Sequence, residues 1–80
     1  MEKIVVNDFI AKFKDALNAD NKEIFLDDKF RDYDEWDSMR YLSVISMLDS
    51  EYDVIIEPKE FQKIETVREL IKEVEKRQNK

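Results

Sequence analysis

The chain has no cysteine, no glycine and no histidine, a single proline, and no long apolar run. Without cysteine, neither a disulfide framework nor a thiolate metal site can support the fold. Without glycine, the usual phosphate-cradling loop, the dinucleotide fingerprint and the nucleophile elbow are excluded. Without histidine or cysteine, the common catalytic triads, zinc sites and imidazole acid–base chemistry go as well. An enzyme here would have to work with carboxylates, lysines and hydroxyls alone. No apolar stretch approaches the roughly 18 residues of a membrane span, and Met1-Glu2-Lys3 opens neither a signal nor a transit peptide, so a soluble, cytoplasmic protein is expected.

What is present is charge and a modest apolar fraction. Eighty residues leave room for one domain, spanning 1–80, which on folding would bury only roughly 60–65% of the surface exposed by the unfolded chain. Stability must therefore come from helix packing around a small core. Twenty acidic residues against 14 basic ones give a net charge of -6, which favours solubility and basic partner surfaces. Nucleic acid is not an expected ligand. The one basic cluster, Lys72, Lys76, Arg77 and Lys80, sits where cations complement the end of a helix.

Val6, Phe9, Ile10, Phe13 and Leu17 recur at three- and four-residue spacing and predict a helix over about 7–17, with Asn7 as its N-cap. A second helix is predicted from Ser38 to about Tyr52. Its inward stripe is read as Met39, Leu42, Ile45, Leu48 and Tyr52, widened by Tyr41 and Val44, with Arg40, Ser43, Met47, Ser50 and Glu51 outward. A last long helix starts at Thr66, where Glu69 completes a capping box ahead of Val67, Leu70, Ile71 and Val74. Between these two, Val54-Ile55-Ile56 reads as an extended linker, and Pro58 opens a short helix anchored by Phe61.

From Asn18 to Asp37 there is no clear periodicity, yet Ile24, Phe25, Leu26, Phe30, Tyr33 and Trp36 fall there. Loops this long are usually functional or disordered, and this apolar content predicts packing over the bundle, with a short helical turn around Glu23 to Leu26. The loop's acids, Asp27, Asp28, Asp32, Asp34, Glu35 and Asp37, do not make a calcium loop: Trp36 stands at a ligand position and the turn glycine is missing. No metal site is expected.

Trp36-Asp37-Ser38-Met39 closes the loop and opens the second helix. Read alone, Asp37 and Ser38 are good helix caps, though Tyr41 three residues after Ser38 completes no capping box. The Asp37-Ser38-Met39 triplet at this junction, followed by a proline-bearing linker, a short helix and Thr66-Val67, resembles the attachment signature and helical order of the acyl, peptidyl and D-alanyl carrier proteins. The likeness runs along nearly the whole chain. It implies an all-α bundle of three long helices and one short one with a long first loop, and no catalytic activity of its own. It further implies that Ser38 bears a covalent 4'-phosphopantetheine arm, transferred from coenzyme A by a phosphopantetheinyl transferase. The remaining partners implied are an acyl or aminoacyl ligase and downstream transferases or synthases.

Partner contacts are expected at Asp37, Met39, Arg40, Ser43 and Met47, with Met39 also packing inward at the base of the arm. In fatty-acid carriers this face is rich in acids; Arg40 and Ser43 depart from that, which points to a dedicated pathway rather than a general fatty-acid synthase. A standalone, monomeric acyl carrier is the expectation. An aminoacyl or peptidyl carrier, or a helical interaction module in which Ser38 is only a cap, are the alternatives.

Overall fold

The computed structural model describes residues 4–78. Its elements run in the order α1 (Val6–Leu17), a 3-10 turn (Phe30–Asp32), α2 (Ser38–Tyr52), α3 (Pro58–Phe61) and α4 (Val67–Gln78). Among the described residues there are four α-helices and no strand, the all-α bundle expected from the sequence. Lys80 of the basic cluster lies outside the described residues. Among the described residues no helix is long and apolar enough to cross a membrane.

In α1, Phe9, Phe13 and Leu17 are fully buried, one stripe at four-residue spacing. The helix starts one residue earlier than predicted, and its N-cap is Val5, with no side-chain cap bond, rather than Asn7. Tertiary contacts replace the local cap. Ile4 is buried and donates its N–H to Glu75 Oε2 at 3.2 Å, so the chain is pinned to α4 just before it enters the helix. With Ile4 inside, Val6 turns outward and is partly exposed, contrary to its predicted place on the stripe.

Both α1 and α2 end on a non-glycine residue in the left-handed region, Asn18 (φ 56°) and Asp53 (φ 58°). At each, reversed hydrogen bonds close the last turn: Ala19 N–H to Lys14 O, and Val54 N–H to Leu48 O. The extended segment after Asp53 then buries Val54 and Ile56 while Ile55 faces out. Pro58 takes the first turn of α3, where a missing N–H costs nothing, and Phe61 closes it as a buried anchor, as the sequence indicates.

The start of α4 is fully satisfied. Glu69 N–H donates to Thr66 Oγ1 at 3.2 Å and Glu69 Oε1 accepts from the N–H groups of Thr66 and Glu65, the expected capping box. The two N–H groups before Glu69 are taken by the long loop: Val67 donates to Asp28 O and Arg68 to Leu26 O. That docking explains why the loop turns where it does. Glu23 to Leu26 forms no helix; a hydrogen-bonded turn runs from Phe25 to Asp28, whose N–H donates to Phe25 O at 3.1 Å, and the 3-10 turn falls at Phe30–Asp32, where Phe30 is driven into the core. Phe30 meets Phe13, Trp36 and Phe61 at ring-centroid distances of 5.9, 5.1 and 5.7 Å.

Arg31 then fastens the loop to the far side of the bundle. Its guanidinium donates to Phe61 O at 2.7 Å and to Ile64 O, and lies over the Phe30 and Phe61 rings. The basic residues at the end of α4 act within the fold as well. Arg77 pairs with Glu73 at 2.8 Å and donates to Ile55 O at 3.1 Å.

Candidate functional site

The helical order brings the end of the long loop and the start of α2 to one corner of the bundle. Asp37 is extended (φ -154°, ψ -174°) and is the N-cap of α2: its Oδ1 accepts from Arg40 N–H at 2.9 Å, and its carbonyl accepts from Tyr41 N–H at 2.9 Å. Ser38 is therefore the first helical residue and not the cap. Its side chain is exposed, and among the described residues its hydroxyl enters no hydrogen bond.

A helix leaves its first N–H groups without intrahelical partners. In α4 every one of them is covered by the capping box or the loop. In α2 only Arg40 N–H is capped, and the N–H groups of Ser38 and Met39 have no partner among the described residues. Two free donors, the positive end of a 15-residue helix and an unengaged hydroxyl thus coincide at Ser38. A phosphodiester at this position would meet favourable electrostatics. The residues present fit a phosphate-linked group on Ser38.

Arg40 does not reach into solvent as an isolated charge. Its Nε donates to Leu17 O at 3.3 Å, at the C-terminal end of α1, and its Nη1 lies 3.7 Å from Asp37 Oδ2. It seats the first turn of α2 on α1 and neutralises the capping carboxylate beside Ser38.

Several side chains on α2 are not where the sequence put them. Met39, expected inward, is 68% exposed, and Leu42 is 61% exposed. Met47, expected on the outer face with a partner role, is buried with Val44 and Leu48. The helix carries apolar residues around more than half its circumference, so two stripes could be drawn. The one that packs runs through Tyr41, Val44, Leu48 and Tyr52, with Met47 and Ile45 beside it. Asp37 and Ser43 are exposed and Arg40 is half-buried.

Beside the α2 start lies a cleft of about 280 Å³ lined by Arg31, Trp36, Tyr41, Pro58, Phe61 and Gln62. Trp36 and Phe61 are nearly parallel, with 4° between ring planes and centroids 6.2 Å apart, and Tyr41 meets Phe61 edge-on at 5.1 Å. Arg31 and the internal role of Arg40 were not singled out from sequence, and Leu42 was read there as an inward residue. For Arg31 the available signal was a cation set between acids and aromatic residues.

Two of the loop acids, Asp27 and Asp28, build the loop. Asp28 Oδ2 accepts from Tyr33 Oη at 2.7 Å and from Phe25 N–H at 3.0 Å, and Asp27 pairs with Arg68 at 3.0 Å. Burial of Tyr33, then its bond to Asp28 and the charges of Asp28 and Glu35, push its phenol pKa well above the ordinary value. Burial, reinforced by the charges of Asp8 and Glu51, raises that of Tyr52 too. Among the described residues no three carboxylates gather as a group able to hold a metal ion.

A family model described as the phosphopantetheine attachment site matches residues 7–74. No curated protein and no solved structure matches the chain. The matched span runs from the first turn of α1 to the last buried residue of α4 and so includes the whole corner around Ser38. On that match the chain belongs to the phosphopantetheine attachment-site family, as a non-catalytic carrier that bears covalent 4'-phosphopantetheine and works with a phosphopantetheinyl transferase and partner enzymes.

Proposed function

We propose that Ser38 is the attachment residue and that the protein carries acyl groups for a dedicated biosynthetic pathway, distinct from general fatty-acid synthesis. The observation that carries the reading is the division of labour at the α2 start: Asp37 does the capping, which leaves the Ser38 hydroxyl exposed and unbonded beside two open N–H donors. A serine serving only as a cap would be turned back onto the helix.

During transfer, Ser38 Oγ forms the new bond to phosphorus, the pyrophosphate bond of coenzyme A breaks, and the nucleotide half leaves. The hydroxyl proton passes to a base of the transferase, so this chain needs no histidine of its own. Its own residues expose the hydroxyl and offer the phosphate two N–H groups. The arm supplies a terminal thiol that holds cargo as a thioester, a group absent from the composition.

Two features support acyl cargo for a dedicated partner. From Ser38 to Leu48 the only charged residue of α2 is Arg40, unlike the acidic face that suits basic synthase surfaces. The cleft between Trp36, Tyr41 and Phe61 offers apolar walls next to the attachment corner, a resting place for a short acyl group. Incubation with coenzyme A, magnesium and a broad-specificity phosphopantetheinyl transferase is expected to raise the intact mass by one phosphopantetheine. Ser38→Ala should gain nothing while keeping the helical circular dichroism of the parent. Labelling of the alanine variant, or none of the parent with several transferases, refutes the assignment of Ser38.

A further inference from the structure

We infer that the cargo is a short dicarboxylic acid held as its half-thioester, with Arg31 receiving the free carboxylate in the cleft beside α2; this rests on Ser38 being the attachment residue. Charge and size in the cleft are what select that class.

Trp36, Tyr41, Phe61 and Pro58 make the cleft walls apolar, and no carboxylate lines it. In a chain with 20 acidic residues and a net charge of -6, the one charge on this lining is positive. That charge is also unpaired. Arg40 pairs with Asp37, Arg68 with Asp27 and Arg77 with Glu73, whereas among the described residues Arg31 has no carboxylate within ion-pair distance. Asp32 and Glu65 border a second groove that Arg31 also lines, together with Lys29, and neither closes on the guanidinium. The bonds to Phe61 O and Ile64 O use two of its five N–H groups on neutral acceptors and leave three without a partner among the described residues. Those same bonds, and the Phe30 and Phe61 rings beneath it, hold the planar fork in place. Such a fork matches a carboxylate, which it can bind through two parallel hydrogen bonds. A hydrocarbon acyl group laid against this half-buried guanidinium would strip water from the charge and return no partner. The far carboxylate of a dicarboxylic half-thioester returns one. Size limits the chain: the cleft holds about 280 Å³, the space of about nine water molecules at roughly 30 Å³ each, which suits a few carbons and not a fatty chain. Tyr41 stands three residues after Ser38 on α2, roughly 5 Å along the axis, so a flexible arm reaches the cleft by folding back.

The test loads the parent protein with arms that differ only at the far end of the cargo, by giving the transferase coenzyme A already acylated with glutaryl, glutaramoyl or pentanoyl groups. These are equal in chain length and end in a carboxylate, a neutral amide and a methyl group. Intact mass confirms loading on the parent and its absence from Ser38→Ala. The readouts are the melting midpoint and the emission of Trp36, the sole tryptophan and part of the cleft wall. The glutaryl form is expected to melt roughly 4 °C or more above the other two and to change the Trp36 emission most. Raising salt from about 50 to about 500 mM should narrow the gap, as screening weakens the ion pair. In Arg31→Gln, which puts a neutral amide at this position, the three forms should melt together; should that variant fail to fold, the comparison on the parent decides alone. Equal midpoints for the three parent forms, or a pentanoyl form that melts highest, overturn the inference and leave Arg31 as a fastener of the loop with Ser38 still labelled. A glutaryl advantage that survives in Arg31→Gln overturns it too. An arm found on Ser38→Ala, or none on the parent, instead brings down the attachment reading, and the cargo reading with it.

Discussion

Single residues in the long loop hold it against the bundle, and Tyr33 is the one whose contribution can be read by pH. Its phenol donates to Asp28 Oδ2 at 2.7 Å, and burial together with that carboxylate raises its pKa above the ordinary value of 10.0. A group whose pKa is raised on folding adds stability that is fully present below the unfolded value. That stability drains away as pH rises from there toward the folded value, because the unfolded chain sheds the proton first. The denaturant midpoint is therefore expected to fall as pH is raised from about 9 to about 11. Tyr33→Phe should fall less steeply over the same window, with a residual slope in part from Tyr52, whose pKa is raised in the same direction. Equal slopes in parent and variant refute the link. At the acid end Tyr33→Phe should show only a constant offset, on the order of 1 kcal/mol for the lost hydrogen bond.

At the scale of elements, the helices were legible where local signals agreed and illegible where tertiary contacts decided. The α4 start was readable because Thr66 and Glu69 cap each other without outside help, and α2 because Asp37 does the same for Arg40 N–H. The α1 start was not, since Ile4 and Glu75 fix it from 71 residues away. The inward face of α2 was equally hidden, because its apolar residues outnumber the positions that α1 and α4 can cover. Only packing selects Val44, Leu48 and Met47 over Met39 and Leu42. For the candidate site this means that the place of Ser38 at the start of α2 was legible in the sequence and the outward face of α2 only in part. The helix ends point to a further expectation. Asp53 holds a left-handed φ of 58° at the C-terminal end of α2, where a non-glycine residue is strained and a carboxylate opposes the helix dipole. Asp53→Gly should relieve both, raising stability by about 0.5–1.5 kcal/mol after the extra freedom gained by the unfolded chain. Thermal melting would show this as a rise of a few degrees. Asp53→Asn, which removes the charge alone, should recover roughly half of it. A glycine variant that melts at or below the parent contradicts the strain argument.

For the molecule as a whole, the question is what holds a chain with no cysteine to cross-link in one shape when so little of it is buried. The described core has no buried polar residue and is shared by all four helices and the long loop. Its ion pairs lie at the surface and contribute little each. The interior therefore has to be tied together by a few large side chains, and Phe30 is the junction. It comes from the loop, is fully buried, and touches Phe13 of α1, Phe61 of α3 and Trp36 beside the start of α2. Truncating a buried phenylalanine to alanine costs about 3–5 kcal/mol, while a domain of 80 residues is stable by only about 4–12 kcal/mol. Phe30→Ala should thus consume roughly a quarter or more of the total and loosen loop, α1 and α3 together, whereas Phe30→Leu, which keeps most of the volume, should cost clearly less. Urea unfolding gives the stabilities, and Trp36, the sole tryptophan, gives an independent reading through its near-ultraviolet circular dichroism. The expected result is a lowered urea midpoint for Phe30→Ala together with loss of the Trp36 signal, because the ring it packs on at 5.1 Å is gone. A Phe30→Ala protein that keeps both would mean that the helices hold their places without the loop. The corner around Ser38, whose cap residue follows directly from that loop, would then owe its geometry to α1 and Arg40 alone.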